Sequence, residues 1–385
     1  MPVTLHQVPH LVFGAGSLAE VAAYLRAQNI HRPLIITSPS NLVHAQHLHP
    51  HAHINATTSA EPTIAHFESL LNIARAFAPD AVIGLGGGSP LDASKLIAAL
   101  CNSTQPLADV FGIGNLKSRS LPLICIPTTA GTGAEVSPNA VLVDEAEQIK
   151  KAAVSSHLIP DAAFIDPALM LTVPPDVTAA TGLDALTHCI ETFANLNCVS
   201  LIEPWALEGI RHISAHLNTA VHEPNNLEAR THIALGSLYG GFCLGPVNTA
   251  AVHALSYPLG GKYHVPHGHA NAILLPHVLA FNLPAAPERY AAVAIALGAT
   301  SQPTPEATAL AGIHHLNTLI RNTGLEMRLS HLAFRRLRIP ESDVPSLAVA
   351  GLSVTRLMKN NLRPMTQQDA ETIYRAAFHG ADQFP

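Results

Sequence analysis

Residues 81–88, AVIGLGGG, hold no polar side chain and end in three consecutive glycines. A strand this apolar has to be covered on both faces, which points to a parallel sheet between helices and away from a sheet with one wet side. The same rhythm of strand, turn and helix continues on either side. HLVFGAG (10–16) reads as strand and turn, SLAEVAAYLRAQ (17–28) as a helix opened by Ser17, and PLIITSPS (33–40) as a strand running into a polar turn. TIAHFESLLNIARAFA (63–78) and SPLDASKLIAALC (89–101) read as helices, and LPLICIPTTAGTG (121–133) as a buried strand ending in small residues. This alternation predicts parallel strands joined by crossover helices, the α/β class.

Beyond Thr172 the β-branched runs stop and helical periods continue from Pro175 to the end. Pro174-Pro175 marks the boundary, because proline ends one element and opens the next. The expected organisation is an α/β domain over 1–173 and an all-helical domain over 174–385. With 385 residues, 48% hydrophobic and 12% charged, the chain can bury a large core. A net charge of −6 with no basic tract argues against nucleic acid as a partner. The apolar runs are too short to span a bilayer, and MPVTLHQVPHLVFGAG lacks the features of a signal peptide. Five cysteines without a C-x-x-C pair read as reduced, buried thiols, so a cytoplasmic protein is expected.

The chemistry sits in four stretches. GLGGGSPLDASK (84–95) ends a strand in glycines and opens a helix, where unobstructed N–H groups and the helix dipole suit a phosphate. IPTTAGTGAEVS (126–137) is a second such turn; two of them at carboxyl ends of parallel strands suggest a nucleotide crevice, although either can be a packed turn and nothing more. In AATGLDALTHCIETFA (179–194), Asp184 and His188 share a helix face, as a salt link or as half of a metal site. VHALSYPLGGKYHVPHGHA (252–270) carries four histidines. A helix holding His253 and a loop returning past a Gly260-Gly261 turn to His267 complete one oxygen and three nitrogens, a set for Fe²⁺ or Zn²⁺. His264 and His269 are expected at the rim. HAQHLHPHAH (44–53) has no carboxylate or cysteine beside its histidines and reads as an exposed strand or loop.

Taken in order, G-G-G-S-P-x-D, P-T-T-A-G-T-G-x-E-V-S, T-G-x-D-A-L-x-H and P-H-G-x-A-N-A-x-x-L-P-H resemble the iron-containing (group III) alcohol dehydrogenases over nearly the whole chain. The resemblance implies a dinucleotide-binding domain, a helical metal domain and an active site between them. It implies that Gly87, Gly88, Ser89 and Asp92 lie around the cofactor, that Thr128, Thr129 and Thr132 line its cleft, and that Val141 and Lys150 add contacts. It matches Asp184, His188, His253 and His267 to the metal ligands, with His267 also counted as catalytic.

Two positions depart from the family pattern. Ser38 stands where many members carry an aspartate after the second strand; without that charge, NADP is admitted beside NAD. The same turn is similar to maleylacetate reductases, but those commonly have an asparagine for the metal aspartate that Asp184 preserves here. Tyr257 replaces a histidine that lies near the substrate in many relatives; a phenol is a weaker base at neutral pH, so it either relays a proton or lines the cleft. The expectation is a cytoplasmic, homodimeric, metal-dependent NAD(P)-linked alcohol dehydrogenase or carbonyl reductase acting on a small alcohol, aldehyde or oxo-acid. The alternatives are reduction of an unsaturated oxo-diacid and a non-catalytic nucleotide- or metal-binding protein.

Overall fold

The structure is a computed structural model that describes residues 4–58, 62–147, 149–334 and 337–380. It divides into two compact units, Met1–Thr172 and Val173–Pro385.

The first unit is built on strands β1 (His10–Phe13), β2 (Pro33–Thr37), β3 (His53–Asn55), β4 (Ala81–Gly86), β5 (Gly112–Ile113), β6 (Leu123–Pro127), β7 (Asn139–Asp144), β8 (Ile149–Val154) and β9 (Ala162–Ile165). Six of them form a sheet in the order β1-β9-β6-β4-β2-β3, every pairing parallel. Alternate residues serve opposite faces. Leu34, Ile36, Val82, Leu123 and Cys125 pack with Phe67 and Leu70 of helix α3 and Leu96 of helix α4, whereas Ile35, Ile83, Leu85, Ile124 and Ile126 pack with Val21 and Leu25 of helix α1. The helix ranges are α1 Val21–Ala27, α2 Leu42–Ala45, α3 Ile64–Phe77 and α4 Gly88–Leu100. Burial on both faces is why these strands carry no polar alternation.

α2 follows β2 on the α1 face and α4 follows β4 on the α3 face, so the connections diverge between these neighbouring strands. That divergence opens a crevice at their carboxyl ends. A three-stranded sheet, β5-β8-β7, has no counterpart in the sequence reading. Its hairpin, β7 with β8, is half-exposed and charged and lacks the apolar signature of the main strands.

The second unit contains α5 (Pro175–Phe193), α6 (Glu203–His222), α7 (Leu227–Leu244), α8 (Ala251–Tyr263), α9 (His267–Asn282), α10 (Pro287–Leu297), α11 (Pro305–Asn322), α12 (Val344–Leu352), α13 (Thr355–Met358) and α14 (Gln367–His379). Its only described strands are an antiparallel pair, β10 (Ala333–Phe334) and β11 (Leu337–Arg338). The expected turn at Gly260-Gly261 is absent: α8 runs through Pro258 and both glycines to Tyr263 and ends at His264, which takes the left-handed conformation. Burial of Leu255, Leu259, Gly260 and Gly261 overrides the local preference of these residues. Among the described residues no helix is long and apolar enough to cross a membrane.

Candidate metal centre and nucleotide crevice

In the first unit the glycine turn after β4 lies against the threonine turn after β6. Gly86 has φ +149°, and a Cβ there would meet Pro90 Cγ at 2.8 Å, so only glycine fits. A Cβ on Gly87 would meet Thr129 Oγ1 at 3.2 Å, and one on Gly88 would meet Thr132 Cγ2 at 2.8 Å. Thr128 is buried and its N–H donates to the Gly86 carbonyl at 2.9 Å. The turn after β2 closes the crevice: Ser38 Oγ accepts from Asn41 Nδ2 at 2.9 Å, and Asn41 Nδ2 is 3.5 Å from where a Gly86 Cβ would lie. Ser38, Gly87, Gly88, Thr129 and Thr132 thus surround one crevice, with Ser89 in the first turn of α4.

Asp92 is turned elsewhere, accepting from the Val141 N–H at 3.0 Å; burial raises its pKa to about 6 against the pull of Lys95. Val141 and Lys150 sit on the hairpin strands β7 and β8.

In the second unit three helices converge on one carboxylate. Asp184 and His188 lie a turn apart on α5, His253 is on α8, and His267 is the first residue of α9. Gly268 allows the approach of α9 to α5, since a Cβ there would overlap the Ala180 carbonyl. The Nε2 atoms of His253, His267 and His188 stand 3.6, 3.7 and 3.9 Å from Asp184 Oδ1. Ligands about 2.1 Å from a tetrahedral ion are roughly 3.4 Å apart, so each Nε2 stands slightly beyond ligand spacing from the carboxylate, and Asp184, His188 and His253 offer ligand atoms that all lie within 4.8 Å of one another.

The electrostatics fit a cation as well. Burial disfavours charge on Asp184, but His188, His267 and His253 outweigh it and hold the carboxyl well below its usual range. Burial likewise opposes a charge on His253, yet hydrogen bonds with Asp184 and Glu191 push its pKa up to about 10. The pocket therefore draws positive charge to the lone pairs that a metal would use.

Two residues that the sequence reading passed over support the ligands. Glu191 Oε2 accepts from His253 Nδ1 at 2.6 Å, and Oε1 from the Val252 N–H at 2.6 Å. Asn271 Nδ2 donates to Asp184 Oδ1 at 2.7 Å and lies 3.2 Å from His253 Nε2. Both were within reach of helical spacing: Glu191 is seven residues after Asp184, and Asn271 four after His267. His269 is not at the rim; it is buried, with Nε2 at 2.7 Å from the Glu326 carbonyl. Tyr257, one turn beyond His253, has its ring centroid 5.8 Å from that of His267, and its hydroxyl accepts from Arg356 Nη2 at 2.8 Å. Arg356 lies 99 residues further along the chain, and no local pattern announces it.

Comparison with known proteins places two family models on the chain. "Iron-containing alcohol dehydrogenase" matches residues 9–167, and "Fe-containing alcohol dehydrogenase family, C-terminal" matches residues 178–378. The chain is 37% identical over 332 residues to a long-chain-alcohol dehydrogenase of Geobacillus thermodenitrificans, covering 85% of this chain and 82% of that protein. The solved structure of a 1,3-propanediol oxidoreductase is similar with a TM-score of 0.93 and 29% identity, covering 98% of this chain and 100% of the other. A sulfoacetaldehyde reductase from Bifidobacterium kashiwanohense, solved in complex with NAD+, is similar with a TM-score of 0.86 and 28% identity over 98% of this chain and 99% of the other.

Proposed function

The chain belongs to the iron-containing alcohol dehydrogenase family, and on that premise we propose a metal-dependent NAD(P)-linked alcohol dehydrogenase whose metal ligands are Asp184, His188, His253 and His267. The chain is an oxidoreductase acting on CH–OH groups. The observation that carries the ligand assignment is the convergence of three Nε2 atoms within 3.6–3.9 Å of one Asp184 oxygen.

When bound, Fe²⁺ or Zn²⁺ supplies Lewis-acid polarisation of the substrate oxygen. The protein's own groups do the rest. Glu191 holds the proton of His253 on Nδ1, leaving Nε2 as the ligand atom. Asn271 fixes the Asp184 carboxylate. The amides of Gly87 and Gly88 and the hydroxyls of Thr128, Thr129 and Thr132 cradle the nucleotide, with Ser89, Val141 and Lys150 around it and Asp92 acting behind them, as the acceptor that holds the Val141 N–H. Oxidation moves the carbinol hydrogen with its electron pair to the nicotinamide and releases the hydroxyl proton; reduction runs both transfers backwards. Tyr257, beside His267, passes that proton.

Ser38 has no charge to repel a 2′-phosphate, which supports use of both NAD and NADP. Free cysteines, four of them buried and Cys198 half-buried, fit a reducing compartment, and the cytoplasm and a homodimeric state complete the reading. The relatives' names range from a long-chain alcohol to sulfoacetaldehyde, so family membership leaves the substrate open. The test is turnover of NAD(P)H with an aldehyde panel after chelation and after return of Fe²⁺ or Zn²⁺. Activity lost on chelation and restored by the ion is expected; full activity in metal-free enzyme would overturn the reading.

A further inference from the structure

One side of the ligand set carries a cation that no carboxylate among the described residues neutralises. The side chains of His188, His253 and Asp184 are 6%, 3% and 4% exposed, whereas that of His267 is 27% exposed. Among these four ligands the set is therefore most open to solvent on the His267 side. Tyr257 stands there, half-buried, and so does the half-buried Arg356 that donates to its hydroxyl. The Arg356 guanidinium carbon lies over the Tyr257 ring, 5.7 Å from its centroid, while Nη2 donates to the hydroxyl.

Arg356 makes no ion pair among the described residues, and its side chain donates to no acceptor there other than the Tyr257 hydroxyl. A guanidinium presents five N–H donors in a planar fork that matches a carboxylate. A partly desolvated cation with most of its donors unused is costly to keep unless something anionic completes it. The chain contrasts it with other arginines: Arg119 pairs with Asp161, Arg289 with Glu203 and Arg375 with Glu371.

We propose that Arg356 binds a carboxylate on the substrate, so that the enzyme acts on short hydroxy acids and the matching oxo-acids. The hydroxyl or carbonyl end lies at the ligand set and the carboxylate on the guanidinium fork. This rests on the oxidoreductase reading and narrows its substrate class. A plain alcohol of the same length leaves the fork unpaired and loses the charge-assisted bonds.

The experiment compares kcat/KM for glycolate, 3-hydroxypropanoate, 4-hydroxybutanoate and 5-hydroxypentanoate with that for n-alcohols of equal carbon number, in metal-loaded wild type, Arg356→Gln and Arg356→Lys. Binding of the preferred acid without nucleotide is measured calorimetrically in parallel. At least one acid should exceed its alcohol, and Arg356→Gln should collapse that ratio and weaken acid binding by about 10- to 100-fold, with partial recovery in Arg356→Lys. Wild type that prefers the alcohol at every length would overturn the proposal while leaving the oxidoreductase reading intact. An equal fall for acid and alcohol would do the same, since Arg356 would then serve only to position Tyr257. A change confined to KM for NAD(P)H would assign the arginine to the nucleotide, again against the proposal. No turnover with any of these substrates or with the aldehyde panel would remove the oxidoreductase reading itself, and this inference with it.

Discussion

The candidate nucleotide crevice of the first unit is made of main chain, where Gly86, Gly87 and Gly88 leave amides bare and the threonines of the next turn press against them. The candidate metal centre of the second unit is made of side chains, where Asp184, His188, His253 and His267 bring four lone-pair donors together from three helices. A backbone site depends on what is missing from the side chains, so it tolerates almost any neighbour that keeps the turn. A side-chain site depends on each residue and on what orients it. The buried charges of the two units are likewise unlike. The first holds carboxylates that burial drives toward the neutral form, with Glu135 raised to about 7, while the second holds one imidazole kept charged, His253 beside Asp184 and Glu191, and another kept neutral, His277, lowered by burial to about 4.

The largest effect expected from this contrast lies in the support of the ligands. Glu191→Gln keeps the shape but gives up the carboxylate that faces His253 Nδ1. Metal affinity should fall about 10- to 100-fold, as loss of such an outer partner typically does. Competition against a chromogenic chelator measures it, and the NAD(P)H dissociation constant should stay within a few-fold. An unchanged metal affinity would make Glu191 a packing residue.

Acid should act with opposite signs on Glu135 of the first unit and His277 of the second. Glu135 titrates near 7 in the fold against 4.5 unfolded, so as pH falls through 7 the folded form gains protons first and the first unit is stabilised. His277 titrates near 4 in the fold against 6.5 unfolded, so its stabilisation is complete above 6.5 and is lost as pH falls toward 4. For His277 the loss by pH 5 is about 2 kcal/mol. Hydrogen exchange at pH 7 and pH 5, corrected for intrinsic rates, should show protection lost in Val173–Pro385 and held or gained in Met1–Thr172. His277→Gln should flatten the slope of the second unit. An equal loss in both units would contradict the contrast.

The smallest effect belongs to the crevice rim. Ser38→Asp adds a charge where the ribose is expected, and the NADH-to-NADPH ratio of kcat/KM should rise roughly tenfold. A strong native preference for NADH that the substitution does not alter would remove Ser38 from the nucleotide site.

The same contrast explains how much was legible in the sequence. Main-chain sites announce themselves through glycine and small residues in a row, and AVIGLGGG and PTTAGTG did so. Buried parallel strands were equally plain, because both faces of β4 and β6 are apolar. The hairpin of β7 and β8 was missed because its residues alternate between half-buried and charged, with neither signature. In α8 the sequence misled: Pro258 and Gly260-Gly261 read as a break, but packing carried the helix through them and put Tyr257 on the same face as His253. Asp184, His188 and Glu191 share a helical spacing that could have revealed all three. Arg356 reaches Tyr257 only through the tertiary fold.

The central claim is that the metal is held by the second unit's side chains and the nucleotide by the first unit's backbone, so that one can be lost without the other. Elemental analysis and NAD(P)H fluorescence titration of wild type and His267→Ala, at one buffered free-metal concentration, test it most directly. The wild type should hold about one Fe²⁺ or Zn²⁺ per chain, and the variant tenfold less or below, with nucleotide affinity nearly equal in both. A His267→Ala protein that keeps its full equivalent of metal, or that loses nucleotide binding together with the metal, would contradict the account.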